Sequence, residues 1–179
     1  MVVIRPMGLK DADALRAFIE RLSPASRHAR FQYVVKEVSP RLLRLLLEVD
    51  PRDHVALGAF DGDQLVGEAR YARREDPAEA DFAIAVDDAW RGRGLAQRLL
   101  RDLMQRAGRD GVRRLEGEVL ANNEAMLAFA AQEGFRTLPH FEDARLMRVR
   151  RDLGEKPPRA PEFSRAAETA RFAIAAGIG

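Results

Sequence analysis

The clearest chemical signal in this sequence is the segment Val86-Asp87-Asp88-Ala89-Trp90-Arg91-Gly92-Arg93-Gly94-Leu95-Ala96. A short apolar run ends at Val86, glycines alternate with arginines, and a leucine-rich helical pattern opens at Leu95. The backbone N–H groups of residues 91 to 96 therefore lie where a loop becomes a helix. The first turn of a helix leaves its amides unpaired and carries the positive end of the helix dipole, and glycine lets phosphates come close to the backbone. Such a site binds a diphosphate. An Arg-rich solvated turn that needs glycine for its geometry is the competing reading of a lone Gly-x-Gly. A dinucleotide loop is disfavoured, because Gln97 stands where Gly-x-Gly-x-x-Gly requires its third glycine, and no Gly-Lys-Ser/Thr of a P-loop occurs.

The remaining reactive side chains narrow the field. Without cysteine there is no thiol nucleophile, disulfide framework or Cys-ligated zinc. His28, His54 and His140 lie far apart with no His-x-x-x-His spacing, so no metal is expected. The formal charge of +2 is too small to imply a nucleic-acid partner. Its distribution says more. Residues 61 to 88 hold nine acids against three bases, and residues 91 to 114 hold eight arginines against two acids. These adjacent blocks fit a chain that keeps an anionic ligand beside a cationic one, although scattered solvated faces give similar counts. No apolar run approaches the ~18 residues of a membrane span, and Met1 to Arg5 have no signal-peptide features, so no membrane partner and a cytoplasmic location are expected.

The elements that must position the loop follow from periodicity. Val2 to Ile4 reads as a strand, and Leu15, Phe18, Ile19 and Leu22 mark one face of a helix. Ser39-Pro40 starts another helix, which stops near Asp50-Pro51. His54 to Phe60 and Gln64 to Ala72 form a hairpin through Asp61-Gly62-Asp63. After a polar loop from Arg73 to Ala80, Asp81 to Val86 is a buried strand. Leu95 to Gly108 is a helix, and Val112 to Leu120 a further strand. Strand, glycine loop, helix and strand make a crossover unit whose ligands gather at the carboxyl end of the first strand. Asn122 or Asn123 caps a helix closed by Gly134, and Phe135 to Leu138 and Ala144 to Val149 suggest two last strands. The expected class is α/β with a mixed sheet: one domain over residues 1–155 and a helical tail over 156–179.

Arg91-Gly92-Arg93-Gly94-Leu95-Ala96 resembles the Gln/Arg-x-x-Gly-x-Gly/Ala diphosphate motif of the GNAT acetyltransferase superfamily. Asn123, leading a helix that ends in Gly134-Phe135, resembles its second signature. Ile4-Arg5-Pro6, Leu22-Ser23-Pro24-Ala25-Ser26-Arg27 with Arg30-Phe31, and Gly117-Glu118-Val119-Leu120 are similar to the acetyltransferase module of bacterial protein lysine acetyltransferases. The resemblance covers about residues 2 to 150.

It implies the GNAT fold, with acetyl-CoA in a notch where strand 81–86 splays from strand 112–120. The pantetheine would pair with the backbone of Ile84 and Val86, and the diphosphate with the amides of Arg91, Gly92, Arg93, Gly94, Leu95 and Ala96. Asn123 would contact the pantetheine arm or simply cap its helix. Trp90 would pack beside the cofactor or anchor the core. Acetyl transfer needs a carboxylate to accept a proton from the amine. Asp81 stands where these enzymes commonly carry a glutamate base, one methylene shorter; Glu118 is the second candidate and Glu79 the third. Ala130 occupies the position at which many superfamily members have a tyrosine acid, which favours the protein acetyltransferases. The segment Ser26 to Phe31 shapes the acceptor side or is solvated surface. The implied reaction is direct transfer from acetyl-CoA to a primary amine, a protein lysine first, in a monomer or homodimer. A small-molecule amine acetyltransferase and a silent acetyl-CoA sensor are the alternatives.

Overall fold

Strand β1 (Val3–Pro6) runs antiparallel to β2 (His54–Asp61), and β2 turns back into β3 (Gln64–Arg73). Gly62 holds φ +60° in that turn, the left-handed conformation that an Asp-Gly hairpin supplies. The computed structural model describes residues 1–32, 37–48, 50 and 52–154. Among them β4 (Glu79–Val86), β5 (Arg114–Leu120), β6 (Arg136–Pro139) and β7 (Leu146–Asp152) complete a sheet of order β1-β2-β3-β4-β5-β7-β6. Every neighbouring pair is antiparallel except β4 with β5. The crossover forces that exception, because a helix between two strands returns the chain to the end where the first strand began.

Helices α1 (Ala12–Arg21), α2 (Pro24–Phe31) and α3 (Pro40–Leu47) precede β2, α4 (Leu95–Arg109) makes the crossover, and α5 (Glu124–Gln132) follows β5. Two apolar clusters sandwich the sheet. Leu15, Phe18, Phe31 and Leu46 gather with Phe60 and Leu65, whereas Leu95, Leu99, Leu100 and Leu103 of α4 pack on Leu57, Val66, Tyr71 and Leu115. Each fully buried leucine contributes roughly 1.5–3 kcal/mol, which fixes the start of α4 against β3 and β4.

Two differences from the sequence expectations bear on the site. Residues 24–31 form a helix: Ser23 Oγ accepts the Ser26 N–H at 3.2 Å with Pro24 at the first helical position, as Ser39 and Pro40 do for α3. Arg30 and Phe31 are buried, so this segment is not solvated surface. Strand β4 starts at Glu79, two residues early, because Arg73 and Ala80 are already paired. The expected C-terminal helix lies outside the described residues, among which no helix is long and apolar enough to cross a membrane.

Candidate active site

Strands β4 and β5 pair only through Glu79↔Arg114, Ala80↔Leu115 and Asp81↔Glu116. Beyond Asp81, β4 continues to Val86 against β3 alone. Phe82 stands where the two strands part. Its ring lies over Gly117, where an added Cβ would sit 2.8 Å from Cε1, and it packs on Phe135 with ring centroids 4.9 Å apart. The absence of a side chain at Gly117 makes room for this ring on the sheet face. The resulting cleft, about 280 Å³, is walled by β4 from Asp81 to Val86, by Gly117, Glu118 and Val119 of β5, and by Ser26, Arg30 and Gln32 on the α2 side. Ile84 and Val86 thus lie on a strand edge whose backbone groups can pair with an extended, amide-bearing arm.

The glycine loop closes one end. Gly92 and Gly94 hold φ +71° and +70°, and a Cβ added to either would meet nothing within 4 Å. Gly94 is the N-cap of the 15-residue α4 and has no side chain to cap the first-turn amides. This is an open cradle of N–H donors on a helix terminus, and it fits a diphosphate. Both arginines of the loop have neighbours of their own, and Arg91 also lines the cleft. Arg91 bridges Asp88 Oδ1 at 2.9 Å and Ser26 Oγ at 2.7 Å, tying the loop to α2. The Arg93 guanidinium lies 4.8 Å from the centre of the Trp90 ring. Trp90 packs against the α4 core cluster. Asn123 caps α5, its Oδ1 accepting the Met126 N–H at 3.2 Å, and it also lines the cleft.

The carboxylates of β4 and β5 are held in different ways. Asp81 Oδ1 accepts two N–H bonds from Arg74, one of them from Nε at 2.8 Å. Arg74 also donates to Glu116 Oε2 at 2.7 Å, and Arg150 takes the other oxygen of Glu116. Burial alone would raise the Glu116 pKa, but Arg74 and Arg150 outweigh it and hold the group below the usual carboxylate range. Glu79 pairs with Arg114. Glu118 is different: its Oε1 meets His140 Nε2 at 3.1 Å, and its backbone carbonyl accepts Gln32 Nε2 at 3.0 Å.

Behind the α2 wall, Glu68 is buried between Arg30 Nε at 2.8 Å and Arg70 Nε at 2.7 Å, with buried His54 beside them. Asp87 pairs with Arg21 and Asp88 with Arg91. Five of the acids in the block 61–88 (Glu68, Glu79, Asp81, Asp87 and Asp88) are therefore neutralised by arginine. The block is not the open negative field that the residue count suggests. Ala130 is fully buried in the core, and Tyr71 bonds Asp110 Oδ2 at 2.6 Å on the α4 side; among the described residues no tyrosine lines the cleft.

Residues 15–135 match the Acetyltransferase (GNAT) family. The chain belongs to the GNAT acetyltransferase family. As a GNAT enzyme it is an acyltransferase with acetyl-CoA as co-substrate, and the expected fold class is correct. An acetyltransferase of Pseudomonas aeruginosa is 38% identical over 138 residues, covering 75% of this chain and 74% of its own length. Acetyltransferase Pat of Mycolicibacterium smegmatis is 35% identical over 126 residues, 69% of this chain; the match spans only 38% of Pat. The GNAT domain of S. lividans PAT superposes with a TM-score of 0.79 at 30% identity, covering 83% of this chain and 89% of that domain.

Of the residues that the sequence pointed to, Ile84, Val86, Asp81, Glu118, Asn123 and, from the loop 91–96, Arg91 and Ala96 line one cleft, whereas Glu79 and Trp90 do not. Sequence reasoning missed Arg74, Gln32 and His140. Arg74 falls in a polar stretch with no periodicity to single it out, and His140 has no histidine at ligand spacing. The Ser23-Pro24 start signal could have found α2, and with it Gln32 at the α2 C-cap.

Proposed function

We propose that this GNAT enzyme transfers the acetyl group of acetyl-CoA to the side-chain amine of a protein lysine by direct attack in a ternary complex. The observation that carries the reading is Glu118. It lies on the splayed strand opposite the bare edge of β4, with His140 as its side-chain partner in place of an arginine. A site that must attract an ammonium and then take its proton needs such an unneutralised carboxylate. The likeness to Pat and to the GNAT domain of S. lividans PAT, together with Ala130 in place of a tyrosine, favours a protein acceptor.

In this scheme the backbone of Ile84 and Val86 orients the pantetheine, the amides of residues 91 to 96 hold the diphosphate, and Asn123 Nδ2 contacts the arm. Glu118 takes one proton from the lysine ammonium, directly or through water, and releases it to solvent. The amine nitrogen bonds to the thioester carbonyl carbon and the C–S bond breaks. The second nitrogen proton ends on the departing sulfur, a fair leaving group without a tyrosine, since thiols have pKa near ~8.5. Asp81, gripped by Arg74, shapes the strand junction.

The reading is tested by thiol release from acetyl-CoA with lysine peptides, α-amino peptides and free small amines as acceptors. Transfer to the lysine Nε supports it. Transfer only to free amines favours the small-molecule alternative, and tight acetyl-CoA binding with no release favours a sensor.

A further inference from the structure

The loop between β6 and β7 sets against the cleft a histidine that the scheme above does not use. His140 Nδ1 accepts the backbone N–H of Asp143 at 3.0 Å, while Nε2 faces Glu118 Oε1 at 3.1 Å. A peptide N–H can only donate. Nδ1 therefore presents a bare lone pair, and the single proton of the ring lies on Nε2, aimed at the carboxylate. The His140 side chain is only 9% exposed, so the loop encloses the ring.

We propose that His140 is a positioning residue that holds the Glu118 carboxylate in the orientation from which it receives the proton of the acceptor ammonium. This deepens the reading of Glu118 as base and rests on it. A glutamate side chain has three rotatable torsions, and one directed N–H bond selects among the conformers they allow. The nature of the partner decides what else the bond does. The two other carboxylates on this face, Asp81 and Glu116, are held by guanidinium groups whose full charge opposes protonation. A neutral imidazole N–H orients Glu118 and leaves its negative charge uncompensated. The backbone of the same residue is pinned from the other side by Gln32, which stands at φ +61° at the C-cap of α2, the only positive φ on a non-glycine among the described residues. Side chain and main chain of Glu118 are thus fixed by two separate elements, as a general base requires.

His140 keeps its proton throughout. Giving it to Glu118 would leave an imidazolate, and taking a second one on Nδ1 would break the Asp143 bond. During the step an N–H bond of the ammonium breaks and an O–H bond forms on Glu118; nothing passes through the ring.

The test uses the full chain. Nuclear magnetic resonance of the ¹⁵N-labelled imidazole should report a neutral Nε2–H tautomer for His140; an Nδ1–H tautomer overturns the proposal. In acetyl transfer to a lysine peptide, His140→Ala should lower kcat about tenfold or more while the KM for acetyl-CoA stays within about twofold. His140→Gln, whose amide can donate at a similar reach, should recover most of the rate. In a Glu118→Gln background His140→Ala should cost nothing further. Wild-type kcat in His140→Ala, or equal losses in the Ala and Gln variants, overturns the positioning role. Absence of transfer by the wild-type chain to any lysine peptide overturns instead the lysine reading, and the role of Glu118 with it.

Discussion

Replacing His54 with leucine should flatten the pH dependence of stability between pH 7 and 4.5. His54 is 2% exposed, and among the described residues neither ring nitrogen has a hydrogen-bond partner. Burial first, then the nearby Arg70 guanidinium, pushes its pKa down to about 3. The unfolded chain, with an ordinary value near 6.5, takes up a proton below that pH that the folded chain refuses. The stability tied to the neutral ring is therefore full above pH 6.5 and is lost as pH falls from there through 3. At pH 4.5, two units into this window, the loss is about 2.5 kcal/mol at about 1.4 kcal/mol per unit. Glu68, lowered to about 2 because Arg30 and Arg70 outweigh its burial, contributes stability that is present above its unfolded value near 4.5 and lost below it, mostly outside this window. Leucine has a similar volume and forfeits no hydrogen bond, so the variant should stay folded at pH 7. Urea unfolding of both proteins at pH 7 and 4.5 measures the effect. The wild-type protein should lose about 2.5 kcal/mol more than His54→Leu. Parallel losses in the two proteins would refute the placement of a neutral imidazole in this cluster.

Gly94→Leu should remain folded at a cost of about 1–2 kcal/mol from its left-handed φ, yet lose at least about a hundredfold in acetyl-CoA affinity by calorimetry, because the side chain fills the diphosphate cradle. Gly117→Ala should lower stability by about 1–3 kcal/mol in thermal unfolding, since the new Cβ collides with the Phe82 ring, and the shifted ring should also weaken acetyl-CoA binding. Asp81→Asn should reduce kcat less than about tenfold, whereas Glu118→Gln should reduce it by about 10²–10⁴; steady-state kinetics with a lysine peptide ranks the two carboxylates, and the reverse order would make Asp81 the base.

What was legible in the sequence was local. The run from an apolar strand through Arg91-Gly92-Arg93-Gly94 into a leucine-striped helix dictates its own geometry, because the glycine conformations and the helix start are set by adjacent residues. The Asp-Gly hairpin, the Ser39-Pro40 helix start and the Asn123 cap were readable for the same reason. The splay could be placed between β4 and β5 by resemblance, but the packing of the Phe82 ring on Gly117 at that point joins residues 35 positions apart. Partners chosen across long separations were not readable. Glu68 and Arg70 share a strand face by their i, i+2 spacing, but only the fold brings Arg30 between them and the cleft. Counting acids over 61–88 treated Glu68, Glu79, Asp81, Asp87 and Asp88 as a field, and the structure pairs each with an arginine. Asp81 and Glu118 both reach the cleft as expected. Which of them is free of a cation depends on Arg74 and His140, and neither neighbour is signalled by spacing.

The most direct test of the central claim is acetyl transfer to a matched pair of peptides, one with a free lysine Nε and a blocked α-amine, the other with the reverse. Acetyl-CoA consumption is read by thiol release, and the acetylated nitrogen is located by mass spectrometry. Release is expected with the free-lysine peptide, with the acetyl group on Nε, and that release should be lost in Glu118→Gln. Release confined to the α-amine peptide, or an unimpaired Glu118→Gln enzyme, would contradict it.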